Sequence, residues 1–132
     1  MVSKTGIHAI KALALLAELP EGEFMGAAAV ADRIGAPPNY LGKLLQTLAR
    51  NRLVVGQKGL NGGFRLARDA DTITLLEVVE PIDRISRWNG CFLGSESCDD
   101  AAPCPVHSDW AAVRDHYLGF LRNTVLQDIA GR

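Results

Sequence analysis

Residues 53–68 read LVVGQKGLNGGFRLAR, and the rest of the chain arranges itself around them. Leu53-Val54-Val55 is a strand signal, Asn61-Gly62 is the strongest short hairpin turn, and Gly63-Phe64-Arg65-Leu66-Ala67 returns as a second strand. Upstream, Leu41, Leu44, Leu45 and Leu48 recur at helical spacing from a start at Pro38, where a missing N–H costs nothing. Asn39, Gly42, Lys43, Gln46 and Arg50 fall on the other faces of that helix. A shorter helix over 27–33, with Val30, Ala31 and Ile34 inward, is broken from it by Gly35-Ala36-Pro37. Two helices across a short glycine turn form a helix-turn-helix pattern, and a hairpin directly after the second makes it a winged helix.

Outward from this unit, the N-terminal pattern Ile7, Ile10, Ala14 and Ala17 predicts an amphipathic helix over 4–19, stopped by Pro20. Thr74 and Glu77 have capping-box spacing and open a helix over 75–79, which Pro81 closes. A long helix is predicted over 110–129, with Trp110, Val113, Tyr117, Phe120, Leu121, Val125 and Ile129 on one side. So long an apolar stripe needs a partner, either the chain's own core or a second copy in a two-fold dimer. The fold expectation is therefore mainly α with a small β-hairpin wing. It divides into a winged helix-turn-helix domain over 1–82, a cysteine-rich loop over 83–109 and a dimerisation helix over 110–132.

Charge is segregated along the chain. Residues 1–68 hold nine Lys or Arg against four acids, giving +5, whereas residues 69–132 hold five Arg against eleven acids, giving −6. Between Asp32 and Arg68 the tally is seven basic to one acidic, a local excess suited to phosphates. Lys58, Arg65 and Arg68 lie on or beside the hairpin, while Gly59, Gly62 and Gly63 let its backbone approach a partner closely. Asn39, Tyr40, Lys43 and Gln46 on the second helix, with Lys58, Gly59, Asn61 and Arg65 on the wing, are the candidate contacts to double-stranded DNA.

All three cysteines and one of the three histidines lie within 17 residues, as Cys91-x6-Cys98-x5-Cys104-x2-His107. Thiolate and imidazole donors select zinc or iron-sulfur chemistry over hard cations. Gly90, Gly94, Pro103 and Pro105 punctuate the same stretch as a loop able to wrap an ion or cluster. An odd cysteine count argues against a closed disulfide framework, and thiols kept reduced point to the cytoplasm. The apolar run 12–17 is too short for a signal peptide or a membrane span. A thiol-redox enzyme would want a C-x-x-C pair beside a βαβ pattern, and neither is present. No catalytic residues and no small-molecule substrate are expected.

These residues resemble the IscR-type winged-helix transcriptional regulators, a family that includes iron-sulfur, nitric-oxide and cysteine-metabolism sensors. The likeness covers nearly the whole chain. It rests on Pro38-Asn39-Tyr40-Leu41, on the wing from Lys58 to Arg68, on Ile73-Thr74-Leu75-Leu76-Glu77-Val78-Val79 and on the three-cysteine loop, the wing being the most specific. The resemblance implies a homodimer on palindromic promoter DNA and a cluster, 2Fe-2S favoured over 4Fe-4S, held by Cys91, Cys98, Cys104 and a fourth ligand. His107 stands where the 2Fe-2S branch has its histidine. His8 matches the first-helix position from which the nitric-oxide-sensing branch reaches its partner's cluster. The first cysteine gap is one residue longer than usual, Lys58 replaces a common arginine, and Gly42 stands where glutamate is frequent, so a target sequence does not carry over. A structural zinc, a direct thiol-oxidation switch and a protein-interaction adaptor remain as alternatives.

Overall fold

The computed structural model describes residues 1–95 and 98–131. Ser3 caps the first helix by accepting the Gly6 N–H at 3.0 Å, and α1 runs Lys4–Leu16. Two helices follow, α2 (Ala27–Ile34) and α3 (Pro38–Arg50). Gly35 ends α2 in the left-handed conformation at φ 73°, which spares a side chain the steric cost of that region. Leu41, Leu44, Leu45 and Leu48 are all buried, as their spacing predicts, and α2 packs against α3 in the helix-turn-helix arrangement.

The wing pairs β1 (Val54–Gln57) with β2 (Gly63–Leu66) in antiparallel register, Val54 opposite Leu66 and Gln57 opposite Gly63. Its connection is the loop 58–62 rather than a two-residue turn at Asn61-Gly62. Gly59 (φ 92°) and Asn61 (φ 63°) reverse the chain there, and Gly62 N–H donates to the Gly59 carbonyl at 3.0 Å. The outer edge of β2 is covered as well. Met25, just ahead of α2, exchanges two backbone hydrogen bonds with Phe64 at 2.9 and 2.8 Å, tying the wing to the helix-turn-helix.

Three expectations about helices require correction. The first helix stops at Leu16, and its inward residues are Ala9, Ile10, Ala12, Leu13, Leu15 and Leu16, not the stripe Ile7, Ile10, Ala14 and Ala17. Ile7 is 41% exposed. Because α1 packs against α2, α3, α4, α6 and the wing, most of its circumference is covered and a single-stripe reading fails. Second, α4 (Leu75–Asp83) continues through Pro81, whose side chain lies within the helix instead of ending it. Third, the C-terminal helix begins earlier and ends earlier than 110–129. Here α5 spans His107–Asn123, Thr124 is extended, and a short α6 (Leu126–Ile129) follows. The break arises because residues near Thr124 pair with the strand-like segment before α4: Leu75 N–H donates to the Thr124 carbonyl at 2.9 Å and Leu126 N–H to that of Ile73 at 3.0 Å. Leu126 is thereby fully buried.

The capping box is formed as read. Thr74 Oγ1 accepts from Glu77 N–H at 3.1 Å, Glu77 Oε2 accepts from Thr74 N–H at 2.8 Å, and Glu77 also pairs with Arg68 at 2.6 Å. Thr74→Ala is expected to lower the free energy of unfolding by about 1 kcal/mol, read as a shifted urea midpoint with unchanged slope. Among the described residues, no helix is long and apolar enough to cross a membrane.

Candidate metal centre and nucleic-acid interface

The cysteine stretch leaves α4 through a 3-10 turn over Ile85–Asn89 and rejoins the helical body at α5. Two tryptophans hold it there. Trp88 packs against Tyr117 of α5 with ring centroids 5.3 Å apart. Trp110 acts on both neighbours of Cys91: its Nε1–H donates to the Gly90 carbonyl at 3.1 Å, and its ring meets Phe92 at 5.4 Å. Composition gave no reason to assign Trp110 this role, although its place in the first turn of the helix was a usable signal. Asp99 closes the far side by accepting the N–H groups of Ala101 and Ala102 at 2.9 and 2.8 Å, an Asx-type turn.

The result brings Cys91, Cys98 and Cys104 together, their sulfurs all within 4.8 Å of one another and each half-buried. Cys91 and Cys104 are 3.6 Å apart. Cys98 Sγ lies 3.2 Å from His107 Nδ1. Asp100 Oδ1 is 3.0 Å from His107 Nε2 on the opposite side of the ring. With the Nε2 proton donated to that carboxylate, Nδ1 turns its lone pair toward the thiols, the arrangement in which a carboxylate orients a ligating imidazole. His107 is the first residue of α5 rather than a loop residue, and its N–H donates to the Cys104 carbonyl at 3.1 Å.

The thiols are primed unequally. The Ser95 N–H, against opposing desolvation and helped by the Leu93 N–H and the other two thiols, holds Cys91 down at about 7. Cys98 moves the other way. The Cys104 N–H on its sulfur favours the thiolate, but desolvation, the thiol hydrogen bonds it shares with Cys104 and Cys91, and the like charge of Cys104 outweigh it and raise the group. A site that holds one thiol low and another high is suited to a cation that supplies the missing charge. Two thiolates on one tetrahedral ion at about 2.3 Å stand roughly 3.8 Å apart, close to the Cys91–Cys104 spacing, so the donors fit a soft metal.

On the helix-turn-helix, Asn39, Lys43 and Gln46 are exposed along α3. They line an open groove with Ala27, Ala28, Gly42, Arg50 and Phe64. Lys58, Gly59 and Asn61 are exposed on the wing loop. Two of the expected contact residues are engaged by the chain itself. Arg65 is half-buried and folds over the Phe24 ring, 5.3 Å from its centroid. Tyr40, also half-buried, turns toward α1, where its hydroxyl meets His8 Nδ1 at 2.9 Å and Thr5 Oγ1 at 3.1 Å. His8, the alternative fourth ligand, is therefore engaged on the winged-helix side of its own protomer.

Comparison with known proteins agrees with this architecture. The chain is 29% identical over 128 residues to the HTH-type transcriptional regulator IscR of Escherichia coli, covering 97% of this chain and 78% of that one. Its fold matches CymR, the global cysteine regulator of B. subtilis, with a TM-score of 0.80 at 23% identity, covering 98% of this chain and 95% of the other. It matches T. potens IscR with a TM-score of 0.78 at 24% identity, covering 98% and 85%. Residues 2–132 match the family model Rrf2, described as an iron-dependent transcriptional regulator. With a winged helix followed by a cysteine loop along the whole matched length, the chain belongs to the Rrf2 family and is a transcriptional regulator rather than an enzyme.

Proposed function

We propose that the protein is a cytoplasmic, homodimeric, promoter-binding regulator whose DNA affinity responds to an iron-sulfur cluster on Cys91, Cys98, Cys104 and His107, with 2Fe-2S favoured over 4Fe-4S. The observation that carries this is the donor geometry. Three sulfurs lie within 4.8 Å of one another and His107 Nδ1 lies 3.2 Å from Cys98 Sγ, a compact soft-donor set of the kind an iron-sulfur centre takes. When bound, such a centre supplies an electron- and iron-responsive charge. The chain's own residues convert its presence into shape. Trp110 clamps the backbone on both sides of Cys91, and His107 opens α5, so whatever orders the thiols also fixes the start of that helix. Val113 and Phe120, 59% and 54% exposed on α5, support dimerisation through that helix, with the cysteine stretch between α4 and α5 holding the cluster and the winged helix ahead of it binding DNA. A change there reaches the relative placing of two winged helices without any catalysis.

The exposed groove of Asn39, Lys43 and Gln46 suits base edges in a major groove. Lys58, Gly59 and Asn61 suit phosphates or the adjacent minor groove, and Arg65 contributes on leaving Phe24. Tyr40 serves the same surface from behind. Lys58→Ala is expected to weaken binding uniformly across duplexes and to reduce the slope of log affinity against log salt by about 1.

A structural zinc is the second reading, because the Cys91–Cys104 spacing also suits one tetrahedral ion. Protein purified without oxygen distinguishes the two. Visible absorption with iron and acid-labile sulfide in equal amounts is the expected result, and a colourless protein containing zinc alone overturns the cluster.

A further inference from the structure

We propose that His8 is a positioning residue for the DNA-reading helix, acting through Tyr40, and is not a donor to the cysteine site. This rests on the promoter-binding reading above and assigns that surface a support it otherwise lacks. Helix α3 starts at Pro38 with Pro37 as its cap, and neither offers a side-chain hydrogen bond to the exposed N–H groups of the first turn. Beyond the buried Leu41, that turn takes its polar support from side chains of other elements. Thr5 and His8 are three residues apart on α1 and so share a face, and both reach the one hydroxyl of Tyr40 in that turn. With the hydroxyl donating to Thr5 Oγ1 at 3.1 Å, its oxygen accepts from His8 Nδ1–H at 2.9 Å. The imidazole also meets the phenol edge-on, centroids 5.5 Å apart and planes at 74°. The ring is thus gripped at its tip and along its side.

The consequence reaches the DNA face. Asn39 precedes Tyr40 and Lys43 lies one turn on, and both are exposed in the groove beside α3. A tyrosine freed from α1 lets that end of the helix roll, displacing the base-reading side chains together, whereas phosphate contacts from the wing loop are untouched. Loss of the link is therefore a loss of discrimination more than of general affinity.

The test uses the full chain and two duplexes: one enriched by the wild-type protein from a randomised pool, and a scrambled version of it. His8→Ala and Tyr40→Phe are each expected to weaken binding to the enriched duplex roughly two- to ten-fold, the range of one or two hydrogen bonds. The double variant is expected to be no weaker than the weaker single one. His8→Asn, whose amide N–H stands where Nδ1–H does, is expected to recover affinity to within about twofold. Iron content and affinity for the scrambled duplex stay at wild-type values throughout. Additive losses, an unchanged His8→Ala, or an equal loss on both duplexes overturns the proposal, the last by showing a merely structural effect. Loss of iron from His8→Ala overturns it in favour of a metal donor. A wild-type protein that binds no duplex in a salt-dependent way removes the promoter-binding reading itself, and this inference with it.

Discussion

Cys98→Ala, purified without oxygen, is expected to carry almost no iron while remaining folded. Cys98 is the hinge of the donor set: its sulfur accepts the Cys104 N–H at 3.4 Å, faces His107 Nδ1 at 3.2 Å, and lies within 4.8 Å of both other thiols. Without it the Cys91–Cys104 pair survives, but His107 has no thiol partner on its side. Losing a residue that merely orients a ligand already costs roughly 10–100-fold in metal affinity, so losing a thiolate donor is expected to exceed about 100-fold. Between Ile85 and Leu118 none of the described residues is a buried core hydrophobic, so the urea midpoint of the metal-free protein should match that of metal-free wild type. Asp100→Asn provides the graded comparison. It keeps every donor but weakens the carboxylate on His107 Nε2, and a loss nearer tenfold is expected. Iron and sulfide analysis checks both variants, and full iron in Cys98→Ala contradicts the assigned ligand set.

Gly63→Ala is expected to destabilise the winged helix severely. Gly63 sits at φ 130°, a backbone region that L residues rarely adopt. A Cβ placed there would lie 2.4 Å from both the carbonyl carbon and oxygen of Met25 and 2.6 Å from the Gly26 nitrogen. These are backbone atoms and cannot swing aside. Relief requires breaking the two Met25–Phe64 hydrogen bonds that fasten the wing to the helix-turn-helix. Strain of about 1–3 kcal/mol and about 1 kcal/mol for each lost bond sum to roughly 3–5 kcal/mol. That is a large share of the roughly 5–15 kcal/mol that holds a domain together. Gly42→Ala is the contrasting case. Its Cβ would meet only Ala27 Cβ at 3.9 Å, and it lies inside α3, so about 0.5–1 kcal/mol of stabilisation is expected. Denaturant midpoints of the two variants should move in opposite directions. The same loosened wing should cost Gly63→Ala its wing contribution to DNA binding at temperatures where it stays folded.

What could be read directly from the chain was set by interactions a few residues long. The leucines of α3 repeat with the helical period, Gly35 takes the one conformation that ends α2 cheaply, and Thr74 and Glu77 satisfy each other's backbone N–H groups across one turn. Three thiols and an imidazole within 17 residues carry soft-metal chemistry wherever the chain goes. Such features need no distant partner: the helix, its glycine end and the capping box were found where expected, and the three sulfurs lie within 4.8 Å of one another. Tertiary structure alone decided the features that depend on what arrives from elsewhere. Burial around most of α1 came from five neighbouring elements, which no periodicity within 13 residues encodes. The ending of α5 came from Ile73 and Leu75, whose backbone groups offer Thr124 and Leu126 hydrogen bonds and a buried place that a continued helix could not. Trp110 on Gly90 and His8 on Tyr40 are likewise contacts between segments 20 and 32 residues apart. Local periodicity and donor chemistry are properties of sequence neighbours, whereas register, termination and the anchoring of a site are settled by which surfaces meet when the core closes.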